Sequence, residues 1–385
     1  MTKADWSPTS DASGPALLDV YRRLRGECPV AYSDDFGGFW AVFGYDDIVA
    51  VAKDTKTFRS DQPFVERRSS PELIPLSLND ERHLYFRKLL APYFTPARMK
   101  ALEPRIRAMI AEHLAPLERG ESDFYPDVAY PLPARVLAAF LNVSDDESAA
   151  FKELTDLADA ASGGSAEAQQ ASADAFMAKG LELVATRRRV PHDPAVDLLA
   201  RLVAEGFDDE TVAKIGWQLI SAGHSTTTRS LTYAAHYLAT HPDDQDALRV
   251  EPERIPTAVE ELLRTGTALH QIGRTAARDV ELGGCPVAGG DFVGLVFASG
   301  NYDEEQFPHA DQVDLARRPN RHLAFGVGAH ICIGAPLARL ELRLVIEELL
   351  ARTERFELAG EPMPVSGMKT GYVRLPLRAT PAGAE

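Results

Sequence analysis

The chain has 385 residues, of which 45% are apolar, and a formal net charge of −16. This length is ample for a large buried core, and the acidic balance gives no generic attraction to nucleic acid or to anionic membranes. The three cysteines are widely spaced, which excludes a disulfide framework and favours a reducing compartment.

The N-terminal segment is polar, and no apolar run reaches the roughly 18 residues of a membrane span. We therefore expect neither a signal peptide nor a membrane anchor, and a cytoplasmic location. Residues 15–53 begin with a helical pattern, alternate as a strand over 38–44, and return to a helix for which Asp46 is the expected N-cap. Residues 61–78 are rich in proline, serine and charge, which predicts a loop.

In the stretch 80–90, His83 and Arg87 are four residues apart and therefore share one helical face. Two donors on one face suit a carboxylate, although such a pair alone is usually a solvated face. Charged, alanine-rich patterns predict further helices over 96–117, 132–142, 145–160 and 167–189. The small residues of 161–165 predict a mobile connection between the last two helices.

The longest predicted helix covers residues 209–240 and has a weak centre. Gly223 and the hydroxyl run at 225–228 are poor helix formers, because a hydroxyl can bond back to the preceding turn. A long buried helix with such a centre predicts a local bulge or kink. Ala222 and Thr226 are four residues apart and share a face.

Two patterns follow this helix. Residues 255–268 predict another helix, in which Glu261 and Arg264 are three residues apart, a pair of little meaning by itself. Residues 280–291 contain two glycine pairs and predict a hairpin.

The stretch 325–339 places a single cysteine, Cys332, in a loop punctuated by glycines. Gly326, Gly328 and Gly334 permit backbone bends that a side chain would forbid. A helical pattern follows at once, so Cys332 lies near a helix N-terminus, which stabilises a thiolate over a thiol. The leucines of this helix predict one buried face: Leu337, Leu340, Leu344 and Leu349.

A thiolate at this position could be a nucleophile, a redox thiol or a metal ligand. A zinc site needs further Cys or His nearby, and only His330 is close; a disulfide exchanger needs a second cysteine, and Cys28 and Cys285 are far away in sequence. His330 could serve as the base for a nucleophile only with unusual loop geometry. A thiolate that binds haem iron needs only one cysteine and a glycine-rich loop, so this hypothesis requires the fewest additional residues. A buried structural cysteine is the plain alternative.

The stretch resembles the haem-binding signature of the cytochrome P450 family, Phe-Gly-x-Gly-x-His-x-Cys-x-Gly followed by Leu-Ala-Arg. Every fixed position matches, from Phe325 to Gly334 and over 337–339. The resemblance extends over nearly the whole chain and implies one mainly α domain over 1–385, a large helical haem domain with a small β-rich region. It also implies haem b as cofactor and Cys332 as the iron ligand. The other haem contacts that it implies in this stretch are Phe325, Gly326, His330, Gly334 and Ala338.

The resemblance also assigns a haem-propionate site. His83 and Arg87 fall at the family's His-x-x-x-Arg, which contacts a propionate. Arg274 matches the family's second propionate arginine, and His330 completes the set of four donors.

Two further sets of residues match the family. Glu261, Arg264 and Arg317 correspond to a buried structural trio that is not catalytic. His270 and Gln271 would line the pocket beside the haem, where their polar groups could bind a substrate.

The family's oxygen-binding groove reads Ala-Gly-x-acid-Thr, and residues 222–226 read Ala-Gly-His-Ser-Thr here. The resemblance implies that Ala222 lies flat over the porphyrin and that Thr226 assists proton delivery to bound dioxygen. Ser225 replaces the acid, and a serine passes protons only through a chain of hydroxyls and waters. The proton route is therefore open: waters with Ser225, a substrate group, or peroxide in place of dioxygen.

These features predict a haem-thiolate monooxygenase that inserts one oxygen atom from O2 into a small organic substrate by hydroxylation, dealkylation or epoxidation. No flavin or nicotinamide fingerprint follows a predicted strand, so electrons must come from a separate ferredoxin or flavodoxin with its reductase. Arg339, Lys88 and Arg98 are candidates for a basic patch that receives this partner. The alternatives are a peroxide-driven haem peroxygenase and a non-enzymatic haem sensor.

Overall fold

The computed structural model describes residues 6–8, 14–66, 72–143, 166–190 and 192–382, and helices dominate it. Helices α1 to α6 are Gly14–Glu27, Tyr45–Lys53, Asp80–Leu90, Pro96–Glu118, Pro131–Phe140 and Ala166–Arg189. Helices α7 to α12 are Leu198–Ala204, Asp209–Thr240, Pro242–Val250, Ile255–Thr265, Phe297–Gly300 and Ala335–Arg352. The predicted mainly α class with a small β-rich region is confirmed.

The strands are short and gather into small sheets. Strands β1 to β6 are Val30–Ser33, Phe39–Val42, Phe58–Arg59, Glu121–Asp123, Ile272–Ala276 and Val280–Leu282. Strands β7 to β12 are Cys285–Val287, Phe292–Leu295, Thr353–Leu358, Met363–Pro364, Tyr372–Arg374 and Pro376–Pro381. The largest sheet has the order β1-β2-β8-β5-β3, in which β2 and β8 run parallel with Trp40 opposite Val293 and the other pairs are antiparallel. A second sheet has the order β4-β12-β9, and β6-β7 and β10-β11 are two-stranded.

Helix α8 runs through the middle of the helical part and packs against α5, α6 and α12. It begins after an N-cap, Asp208, whose Oδ1 accepts from Thr211 N at 2.8 Å. The predicted bounds are confirmed, and the helix is continuous from Asp209 to Thr240, so the predicted bulge is absent, while the kink stays a prediction. The hydroxyls bond back without breaking it: Thr226 Oγ1 donates to Ala222 O at 2.7 Å.

Helix α12 carries the residues that follow the cysteine loop. All four leucines predicted to form its buried face are buried, and α12 packs along α4. Arg107 of α4 bonds to Glu347 and, at 2.9 Å, to Glu348 of α12, while Arg343 of α12 reaches Glu103 of α4 at 2.8 Å. The two helices are therefore joined by both apolar packing and ion pairs.

Two of the predicted element boundaries differ from the structure. Gly44, not Asp46, is the N-cap of α2, and Tyr45 N donates to Asp303 Oδ2 at 2.9 Å. A carboxylate from a distant part of the chain thus does what Asp46 was expected to do. The hairpin over 280–291 is confirmed with a tighter turn, since Leu282 pairs with Cys285.

The predicted helix over 145–160 and the connection over 161–165 lie outside the described residues. In the described parts of the predicted loop, 61–66 and 72–78, the backbone forms only bends and turns. None of the helices that the structure describes combines the length and apolar character needed to cross a membrane.

Candidate active site

The cysteine loop is closed by a backbone bond in which Cys332 N donates to Phe325 O at 2.8 Å. Gly326 has φ +68° and Gly328 has φ +80°, so both need glycine. Gly334 has φ −78°, an ordinary value, so the prediction that its backbone requires glycine is wrong. A Cβ added there would lie 3.8 Å from Cys332 Sγ.

The Cys332 side chain is exposed, yet burial raises the pKa of its thiol. Both statements hold if the sulfur faces an internal cavity rather than bulk solvent. The N–H groups of Gly334 and Ala335 and the charges of Arg87 and Arg339 oppose the rise, as expected at a helix start. Burial outweighs them, so the net shift of this pKa is upward, and a cation bound at the sulfur would favour the thiolate.

Four cationic or basic side chains gather beside this cavity from three separate parts of the chain. The rings of His83 and His330 stack with centroids 3.9 Å apart. Burial, and then the charges of Arg87 and Arg274, lowers the pKa of His83 to about 4. Burial, the neighbouring His83 and the same arginines lower the pKa of His330 to about 3. The structure thus brings together all four residues of the predicted propionate site.

Arg274 is the most buried member of this cation cluster, His83, Arg87, Arg274 and His330. It is 2% exposed, its Nη1 donates to Gly273 O at 2.8 Å, and its Nε is buried without a partner. Burial lowers its pKa to about 10. Among the described residues, no carboxylate forms an ion pair with Arg274 or Arg87, so the cluster lacks a counter-ion from within the fold.

The centre of α8 also carries accessible residues. Ser221 and Ala222 are exposed although they lie midway along a helix that protein surrounds. Ser225 and Thr226 are half-buried in the next turn. The carboxylates of α8 are Asp209 and Glu210, both in its first turn, so none lies near Thr226 on this helix.

A family model for cytochrome P450 matches residues 165–379. The chain belongs to the cytochrome P450 family. It is 32% identical to the putative cytochrome P450 YjiB of Bacillus subtilis, with 92% of this chain and 93% of the relative covered. It is 33% identical to linalool 8-monooxygenase of Pseudomonas putida, with 89% of this chain and 90% of the relative covered.

Solved P450 structures have the same fold. The open form of cytochrome P450 EryK from S. erythraea superposes with a TM-score of 0.89 at 30% identity, over 99% of this chain and 100% of that one. The chain is therefore a P450 monooxygenase, and thiolate-bound haem b is the cofactor of its family.

The residues of the cavity fit this P450 cofactor. A buried guanidinium with an orphaned donor and no counter-ion is costly unless an anion completes it. Haem carries two propionates and iron, which match the cation cluster and the Cys332 thiol respectively. Phe325 and Ala338 flank the same loop: Phe325 lies under the Arg339 guanidinium at 4.5 Å, and Ala338 N bonds to Gly334 O at 3.0 Å.

His270 and Gln271, the two P450 pocket residues that were expected to bind substrate, differ in whether their polar atoms are already hydrogen-bonded within the protein. His270 Nε2 lies 2.8 Å from Thr370 Oγ1, and its Nδ1 lies 3.3 Å from the Tyr21 hydroxyl. Burial lowers the His270 pKa to about 3. No ring nitrogen is left for a substrate in this arrangement. Gln271 keeps a buried Oε1 without a hydrogen-bond partner, close to Gly294.

His224, the variable residue of the P450 oxygen-groove pattern, is a core residue here. Its Nε2 donates to Tyr130 O at 2.8 Å, and the two rings meet edge to face. This bond attaches the centre of α8 to the start of α5.

The predicted P450 structural trio is present and buried. Arg264 Nη2 bonds to Glu261 Oε1 at 2.7 Å, and Arg317 Nε bonds to the same oxygen at 3.0 Å. Arg264 Nη1 also donates to Asn301 O at 2.7 Å and to Ala310 O at 2.8 Å. The trio therefore joins α10 to the segment that leads into the cysteine loop.

A neighbouring group of three charged or basic residues was not predicted from the sequence. Glu260 accepts from Arg339 Nε at 2.7 Å and lies 3.1 Å from His322 Nε2. Burial raises the Glu260 pKa, but these partners outweigh it and hold that pKa at about 2. Arg339 is thus already paired, and no pattern in the sequence joins these three positions. Arg98 likewise donates to Val196 O at 2.9 Å.

Proposed function

We propose that this P450 monooxygenase binds haem iron through Cys332 and inserts one oxygen atom from O2 into a small organic substrate. We further propose that residues 1–385 act as one domain and that electrons come from a separate ferredoxin or flavodoxin with its reductase. The observation that carries the proposal is the arrangement around one cavity. An exposed sulfur at a helix start lies beside the cation cluster, which has no described counter-ion.

The cation cluster is the proposed clamp for the two propionates. Charge-assisted hydrogen bonds are worth roughly 1.5–3 kcal/mol each, and the orphaned Nε of Arg274 would gain a partner. Burial and the neighbouring arginines lower the pKa values of His83 and His330, and a neutral imidazole still has one N–H to donate to a propionate.

The bound haem would supply the redox chemistry that activates dioxygen for transfer of one oxygen atom. The protein's part is to deliver protons and exclude bulk water. Thr226 Oγ1 donates to Ala222 O at 2.7 Å, and rotation of this hydroxyl would let it donate into the cavity instead. Ser225 would connect it to water, since α8 offers no acid nearby.

A peroxide-driven reaction is the second candidate, and one observation favours it. Ser225 stands where the family's acid is expected, and the carboxylates of α8 are confined to its first turn. An enzyme supplied with peroxide already has the protons and electrons that an acid relay and a reductase would deliver.

The carbonyl complex of the reduced protein tests the iron ligand. Wild type should show the thiolate-type Soret band, and Cys332→Ala should abolish it, because the sulfur is the proposed ligand. Cys28→Ala and Cys285→Ala are matched controls and should leave the band intact. A Cys332→Ala protein that keeps the band would contradict the assignment of Cys332 as the iron ligand.

Coupling of reductant use to product tests the choice of oxidant. If O2 is used, Thr226→Ala should lower the product formed per reductant consumed, because general acid–base assistance is worth typically 10²–10⁴-fold. The control is wild type with the same substrate and partner. If the variant stays fully coupled while peroxide alone sustains full turnover, the peroxide-driven reaction replaces the first proposal.

A further inference from the structure

Two cysteines that are far apart in the chain converge on one backbone oxygen. Cys28 Sγ donates to Val30 O at 3.3 Å, and Cys285 Sγ donates to the same oxygen at 3.5 Å. Two atoms held this close to one oxygen are at most about 7 Å apart, so the two thiols are neighbours at one backbone atom. The contact is tertiary, so spacing in the sequence gave no sign of it.

The shared oxygen belongs to the edge of the largest sheet. β1 is an edge strand, and Phe43 N donates to Pro29 O at 2.8 Å. The next pair along this antiparallel ladder, Val30 and Val42, is therefore the non-hydrogen-bonded one, and the Val30 carbonyl points away from β2. The two thiols, which are weak donors, bond to this carbonyl, as the N–H of a further strand would otherwise do.

The backbone around both cysteines holds them against this edge. The hairpin β6-β7 lies so close to β1 that a Cβ on Gly283 would come within 2.6 Å of Val30 Cγ2. Cys285 follows this turn directly, and Cys28 is attached to α1 through its N–H bond to Leu24 O at 2.9 Å. Both side chains are half-buried, so a small reagent can reach them.

We propose that Cys28 and Cys285 form a reversible disulfide that joins the end of α1 to the hairpin β6-β7. The oxidant is a small-molecule disulfide of the glutathione class. The first thiolate attacks it and releases one thiol; the second thiolate then attacks the resulting mixed disulfide and releases the other. The protein loses two protons and two electrons, and the reagent becomes two thiols.

The two cysteines have different parts in this exchange. Burial, and then the neighbouring Cys28, raises the pKa of the Cys285 thiol. A raised pKa leaves little thiolate at Cys285, which disfavours its attack on a dilute reagent but not on a sulfur beside it, so Cys285 is assigned the closing attack and Cys28 the first. Cys332 takes no part, because it faces the haem cavity from a different loop.

Peptide mapping of the haem-loaded protein tests the proposal. After equilibration with oxidised glutathione, wild type should yield a linked peptide that contains Cys28 and Cys285, and reduced glutathione should remove it. Cys285→Ser should instead trap Cys28 as a mixed disulfide with glutathione. Free thiols or mixed disulfides at both positions in wild type, or a linked peptide that contains Cys332, would overturn the proposal.

Thermal unfolding tests whether the bond joins the two elements. The closed loop spans most of the chain, so oxidation should raise the wild-type unfolding midpoint by roughly 5 °C through restriction of the unfolded state. The midpoint of Cys285→Ser should not respond to oxidised glutathione. A linked wild-type protein with an unchanged midpoint would refute this role of the bond.

Discussion

Two buried groups of cations in this protein differ in what balances them. Arg264 and Arg317 share the carboxylate of Glu261, and the side chains of Glu261 and Arg264 are fully buried. Arg274 and Arg87 have no described carboxylate as a partner, and Arg274 keeps an orphaned donor. The first group is completed by the chain itself. The second has no described carboxylate to balance it, and we proposed above that the haem propionates do so.

The largest effect is expected when the complete group loses its carboxylate. Glu261→Gln keeps the shape but leaves Arg264 buried without its counter-ion, which costs about 3–5 kcal/mol of unfolding free energy. Denaturant unfolding of the haem-loaded variant measures it. The matched control is Glu260→Gln, whose partners Arg339 and His322 form a partly exposed pair, and there we expect a loss of about 1 kcal/mol. Equal losses in the two variants would contradict the distinction.

The opposite change in the cation cluster should affect haem retention rather than folding. Arg274→Gln removes a buried charge that nothing in the described fold neutralises, so the unfolding free energy of the haem-free protein should not fall. Haem transfer to an acceptor globin should become roughly 10- to 100-fold faster, as expected for the loss of one charge-assisted contact.

The same measurement on other variants controls for a general effect of arginine loss. Arg278, which bonds to Thr57 Oγ1 at 3.0 Å outside the cluster, is the matched control, and Arg278→Gln should transfer haem at the wild-type rate. His83→Ala, Arg87→Ala and His330→Ala should follow Arg274→Gln, with little shift of the Soret band. Unchanged retention in every cluster variant would refute the clamp.

The two groups were also unequally predictable from the sequence. Glu261 and Arg264 lie on one helix, so their spacing alone brings them together, and the structure needed only to add Arg317. His83, Arg274 and His330 come from distant segments. That they lie together was predicted from the resemblance to a family, since no spacing in the sequence relates them. Whether they have counter-ions depends on tertiary contacts, which no sequence pattern contains.

Sequence patterns predicted the features that depend on interactions between residues close together in the chain. The bounds of α8 were correct because its pattern and its cap, Asp208, act within a few residues. The prediction of Asp46 as the cap of α2 was wrong because Asp303, which is distant in sequence, accepts the hydrogen bond from the first N–H of this helix. The Glu260 contacts and the meeting of Cys28 with Cys285 were missed for the same reason.

The centre of α8 has no acidic side chain, and a single substitution can add one. Ser225→Asp would give α8 the acid that the family pattern has, next to the Thr226 hydroxyl. An acid can take protons from solvent and pass them on, whereas a serine can only relay them through water. With substrate and redox partner present, we expect substrate-dependent reductant consumption to rise roughly two- to tenfold with product per reductant maintained. Ser225→Asn, similar in size but without a titrating group, should stay at the wild-type rate. If both variants behave alike, the route does not use this position, and waters or a substrate group carry the protons to Thr226.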